Sequence, residues 1–182
     1  MAGAEPQPER PAPLLLAERW VKGAGKPVRW GSFKAGSPES SMQAMLVVQQ
    51  GPVAVFIRSS LESVVVFVVA DLPMSFRQGI SALPSDLRSK MLLHLKQELL
   101  SIPRCAFALH PPTLTKIEQL ERFVVEQTLV LDEKEPSTRT RLLDAIMEVT
   151  VGALRAGTVL NAAGQPLQSG AGGRIVPDGM FR

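Results

Sequence analysis

The run from Ser63 to Ala70, SVVVFVVA, constrains this chain more than any other stretch. Val64, Val65, Val66, Phe67, Val68 and Val69 are β-branched or aromatic without a break. Successive side chains of a strand point to opposite faces, so a strand that is apolar at every position needs cover on both sides and belongs inside a sheet. Two similar runs precede it, Gln43 to Gln49 and Val53 to Arg58. They are separated by Gln50-Gly51-Pro52 and by Ser59 to Glu62, which are short enough for hairpins, so the three runs read as an antiparallel meander.

Helical and strand signals alternate around that meander. Leu14 to Lys22 is a short apolar helix stopped by Gly23 and Gly25, followed by a loop holding Trp30 and Phe33. After the meander Pro73 and Gly79 break the chain, and Ser85 is in place to cap a helix, with Asp86 near the positive end of its dipole. That long helix spans Asp86 to Ile102 and ends at Pro103. Arg104 to His110 then alternates, with Cys105, Phe107 and Leu109 on one side and Ala106 and Ala108 on the other, and Pro111-Pro112 ends it. A connector with Leu114, Ile117 and Leu120 has room for a helical turn, and Arg122 to Leu131 reads as a fifth strand. In the last helix, from Pro136-Ser137, Leu142, Ile146, Val149 and Ala153 form an apolar stripe that Leu143, Met147 and Leu154 widen. Arg141, Asp144, Glu148 and Arg155 lie on another face.

The expected fold is therefore α+β: an antiparallel five-stranded sheet with three helices, in the order α-β-β-β-α-β-β-α. Residues 1–13, with four prolines and little apolar content, read as a disordered arm. Residues 14–160 form a single domain, and the glycine-rich residues 161–182 read as a flexible tail.

Composition excludes several functional classes. A single cysteine, Cys105, cannot form an internal disulfide, and with only two histidines it cannot build a structural zinc site, which points to a reducing, cytoplasmic setting. Leu14 to Ala17 is too short for a secretion signal. The most apolar helical stretch, Leu142 to Leu160, carries Asp144, Glu148 and Arg155, so no bilayer span is expected. The net charge of +3 lacks the clustering that marks most nucleic-acid binders.

Two constellations compete for function. On the middle helix Leu87, Met91, Leu92, Leu95 and Leu99 make one broad apolar face, while Leu93 and Leu100 fall on a different one. Seven residues apart, they form a second apolar contact for a twin subunit or a client segment. Between residues 19 and 34, Arg19, Lys22, Lys26, Arg29 and Lys34 surround Trp20, Trp30 and Phe33, a mixture suited to phosphates and stacked bases. The same residues also suit a loop whose rings anchor in the core while its charges stay in water. Gly23-Ala24-Gly25-Lys26 is not a phosphate loop, because Trp20 stands where the first glycine is needed and Pro27 where a hydroxyl is needed. His94 and His110 lack a triad pattern, and Cys105 faces the apolar side of its strand, so no catalytic residue, metal site or cofactor is expected. Asp132, Glu133 and Glu135 read as an acidic helix cap beside Arg139 and Arg141.

The element order resembles the type III secretion chaperone-like fold. The features that carry the likeness are the long helix entered after Leu83-Pro84-Ser85-Asp86 and the late strand Arg122 to Leu131 leading into Thr138 to Leu154. The chain is most similar to the uncharacterised prokaryotic proteins that share this architecture outside secretion systems, over residues 14–158. The resemblance implies a small α+β domain, often a homodimer, that binds another polypeptide instead of catalysing a reaction. The expectation is thus a chaperone-like protein- or peptide-binding module and not an enzyme. The alternative is an accessory nucleic-acid or anion binder that uses residues 19–34.

Overall fold

The computed structural model describes residues 10–34 and 42–162. In chain order the elements are α1 (Ala12–Gly23), β1 (Val28–Lys34), β2 (Met42–Gln50), β3 (Val53–Ser60), β4 (Ser63–Asp71), α2 (Met74–Ser81), α3 (Ser85–Leu100), β5 (Ala106–His110), a 3-10 turn at Ile117–Gln119, β6 (Arg122–Val130) and α4 (Pro136–Ala162). All six strands join one antiparallel sheet in the order β1-β2-β3-β4-β6-β5.

β4 lies inside this sheet, as its composition requires, paired with β3 from Phe56↔Phe67 to Ser60↔Ser63 and with β6 from Ser63↔Val130 to Asp71↔Arg122. Its Val64, Val66 and Val68 are 0% exposed on the face covered by α1, α3 and α4, where they belong to one core cluster with Leu46, Val55 and Ile57 of β2 and β3 and with Leu142, Ile146 and Val149 of α4. Complete burial of each such side chain is worth roughly 1.5–3 kcal/mol. Across the sheet Val65 and Val69 are also buried, and a smaller cluster of Met45, Val47, Ala54 and Phe56 is joined by Phe33 and Phe67. The Phe56 and Phe67 rings stack with centroids 5.5 Å apart, and the Arg58 guanidinium stands 5.9 Å from the Phe67 ring.

The helices divide the covered face between them. α1 contacts β1 to β4, α4 contacts β3, β4 and β6, and α3 contacts α4 and β5. α3 therefore occupies the β5 margin of the domain.

The architecture is α+β and antiparallel, but the element counts differ from those expected. Among the described residues the sheet has six strands, not five, and there are four α-helices, not three. The added strand is β1, in the stretch expected to be a loop. Its sequence VRWGSFK lacks apolar alternation, and it is extended because it pairs with β2 from Val28↔Val48 to Lys34↔Met42. The added helix is α2, between the Pro73 and Gly79 breaks, which buries only Ile80. The helix-start signal also moved: Pro84 takes the capping position, Ser85 is already helical, and no side chain caps the helix. At the ends, α1 begins at Ala12, inside the expected arm, and α4 reaches Ala162. Residues 1–9 and 163–182 lie outside the described residues.

Gly152 sets how closely α4 approaches β6. A Cβ at this position would sit 2.6 Å from Ile102 Cδ1 and 3.0 Å from Val125 Cγ1, inside normal contact. Gly157, one and a half turns later, would meet nothing within 4 Å. G152V is expected to lower the unfolding free energy by about 2–3 kcal/mol through overpacking. G157A should be neutral or raise it by up to about 1 kcal/mol through helix propensity. Urea unfolding of the two variants checks both values, and equal midpoints would contradict the packing argument.

Candidate functional site

α3 buries Met91, Leu92, Leu95 and Leu99. Leu87, expected on that same face, is 46% exposed in the first turn. Leu93 and Leu100 are 58% and 72% exposed. The side of α3 that faces α4 is marked by Glu98, whose carboxylate lies 3.8 Å from the Arg155 guanidinium. At 100° per residue, Leu93 and Leu100 stand about 140° and 160° around the helix from Glu98. Both leucines therefore point away from α4, toward the outer margin of the domain.

β5 forms that margin of the sheet, since it pairs with β6 along one side and, among the described residues, has no strand along the other. Ala106 and Ala108 are exposed on its outer face, while Cys105, Phe107 and Leu109 pack against the main core. The strand starts at Ala106, two residues later than expected, because Arg104 has a φ of +62°. A left-handed backbone costs a non-glycine residue roughly 1–2 kcal/mol. Arg104 is held by an ion pair to Glu148 of α4. Burial, and secondarily the Glu148 carboxylate, push the Cys105 thiol up to about 11, with Arg104 opposing. Cys105 is a packing residue at neutral pH.

The basic residues are not gathered into one groove. Arg19 Nη1 donates to Glu133 Oε1 at 2.6 Å, and Lys22 Nζ lies 2.8 Å from Glu18 Oε1, both on the helix side of the sheet. Lys26 Nζ donates to Gln50 Oε1 at 2.6 Å. Arg29 alternates with Trp30 along β1 and lies on the opposite sheet face, and Lys34 is the last residue of that strand. Trp30 is partly buried against the main core, with Arg10 stacked 4.7 Å above its ring. Its indole N–H approaches Glu18 without closing a hydrogen bond of normal geometry. The Lys22 ammonium, with smaller help from Trp30 and Arg10, holds the Glu18 carboxyl below the usual carboxylate range. The rings anchor this segment, and Arg19 and Lys22 are already engaged by carboxylates.

The acidic turn before α4, expected to be a helix cap, is engaged by local side chains and by Arg19 of α1. Glu135 accepts from the Ser137 and Thr138 hydroxyls, and chiefly the Ser137 bond, with Arg141 nearby, lowers its pKa. His94 Nε2 lies 3.5 Å from Glu98 Oε1 along α3, and His110 is exposed at the end of β5. Among the described residues no group of three His, Cys, Asp or Glu side chains is placed to hold a metal ion, and no helix is long and apolar enough to cross a membrane. A cavity of about 130 Å³ lies between the start of α3 and the 3-10 turn, beside the 3.1 Å Arg88–Glu118 pair. It is smaller than the roughly 300–1,000 Å³ of pockets that enclose drug-sized ligands.

Sequence periodicity misplaced one surface. Met147 and Leu154, expected to widen the buried stripe of α4, are 45% and 44% exposed. Leu61 is 97% exposed in the β3–β4 hairpin, with a φ of +52° that suits the turn and not the residue.

No protein-family model matches the chain, and no curated protein does. Its fold is similar to that of an uncharacterized protein from Methanothermobacter thermautotrophicus, solved by crystallography. The TM-score is 0.61 and the identity 16%, over 81% of this chain and 96% of that one. The likeness is one of fold alone.

With a thiol pKa of about 11, only about one thousandth of Cys105 is ionised at pH 8, against roughly a quarter of an unperturbed cysteine. Iodoacetamide should alkylate the native protein at pH 8 at least ~100-fold more slowly than the unfolded chain. E148Q removes a charge that raises the pKa and should speed the reaction. Equal rates for native and unfolded protein would contradict this placement.

Proposed function

We propose that this chain is a non-catalytic, chaperone-like module that binds a polypeptide segment along its β5 margin. The observation that carries the reading is the pairing of two exposed leucines, Leu93 and Leu100, with a strand edge on the same side of the domain that no other strand among the described residues pairs. An extended segment added to β5 would gain backbone hydrogen bonds, and its alternate side chains would meet the leucines of α3. Burial of apolar surface supplies the affinity, and strand register supplies the specificity. The resemblance to the type III secretion chaperone-like fold supports the same reading, with a homodimeric, cytoplasmic protein as its setting. The engaged states of Arg19 and Lys22 favour it over phosphate binding through residues 19–34.

Replacing Leu93 and Leu100 together by Glu tests the site. Both side chains are largely exposed, so the change in stability should stay within about 0.5 kcal/mol. In affinity capture from host lysate, the full chain is expected to retain polypeptides that L93E/L100E loses. Retention should survive about 0.5 M NaCl, because apolar burial tolerates salt whereas phosphate contacts are screened. An identical captured set for the two proteins, or one released by salt and nuclease, would overturn the proposal.

A further inference from the structure

The outward side of α4 is apolar where a solvent-facing helix would ordinarily be polar. Met147, Val151 and Leu154 are 45%, 37% and 44% exposed and follow one another at intervals of four and three residues. That spacing is the seam of paired helices, and at 100° per residue the three side chains fall within about 60° of arc. Thr140 and Thr158, both exposed, continue the line toward either end. Asp144 and Arg155 flank the seam on its α3 side, about 20° apart around the helix. Arg155 Nη1 donates to Ser101 Oγ at 3.0 Å and lies 3.8 Å from the Glu98 carboxylate of its own α3, and Asp144 makes no ion pair among the described residues.

We infer that this seam is the contact between two copies of the chain, with α4 packed antiparallel against α4 of the second copy. The charges select both the occupant and the direction. A two-fold axis perpendicular to the helices, passing between Thr150 and Val151, keeps the α3 side of the seam on the same lateral side in both copies. Asp144 then faces Arg155 of the second copy, two residues or about 3 Å out of register, which the arginine stem can span. The same operation places Met147 against Leu154 of the second copy and Val151 against its own counterpart. A parallel pairing, whose two-fold axis runs along the helices, would instead put the two α3 flanks on opposite lateral sides and leave neither Asp144 nor Arg155 a charged partner across the seam. The inference goes beyond the client site, because Leu93 and Leu100 point away from α4.

Sedimentation equilibrium and light scattering of the full chain at about 100 µM test it, with circular dichroism to show that each variant folds. The wild type should have the mass of two chains. D144R and R155D should each weaken self-association at least about tenfold, and the charge-swapped D144R/R155D chain should recover it. V151E should give single chains, and L93E/L100E should leave the two-chain mass unchanged. A wild type of single-chain mass, a double variant no better than the single ones, or a dimer that survives V151E but not L93E/L100E would overturn the inference.

Discussion

The structure depends on β4 being apolar on both of its faces. A strand of this kind has no stable place at an edge or over water, so it needs a partner strand on either side and cover above and below. β3 and β6 supply the pairing, the α1, α3 and α4 layer covers one face, and the Phe56–Phe67 stack lies on the other. With three helices drawn to one face of the sheet, the margins of the sheet and the outward sides of the helices are among the surfaces that stay accessible. The functional reading follows from that division.

The two margins differ in character. β1 has Arg29 and Lys34 in its sequence and runs beside an α1 surface of paired charges. β5 is small and apolar, with alanines outside and the core beneath, and α3 presents leucines next to it. An open edge is a hazard, and proteins limit it by keeping the strand short or by breaking it at its ends. β5 is only five residues long, bounded by the left-handed Arg104 and by Pro111. On the proposed reading, such an edge would take up a short segment in one register without inviting indefinite strand addition.

Elements with a strong intrinsic pattern were legible in the sequence. The β2–β3–β4 meander, α3 and the alternation of β6 follow from residue types that encode their own burial, and doubly covered β4 is the clearest case. β1 and α2 were not legible for a shared reason: their conformation comes from neighbours. Val28 to Lys34 is a strand because β2 offers it a ladder, and Met74 to Ser81 is a helix with one buried side chain. The candidate surface was legible in part. Periodicity separated Leu93 and Leu100 from the buried stripe of α3 correctly, yet it assigned Leu87, Met147 and Leu154 to buried faces. A helical wheel reports which residues share a face, but the direction from which the sheet and adjacent helices approach decides which face is covered.

The most direct measurement is amide hydrogen exchange of the full chain with and without a captured polypeptide. If the β5 margin is the binding surface, protection should rise at residues 105–110 and in the 90–101 segment of α3, with little change at residues 19–34. Protection confined to residues 19–34, or none at β5, would contradict the account.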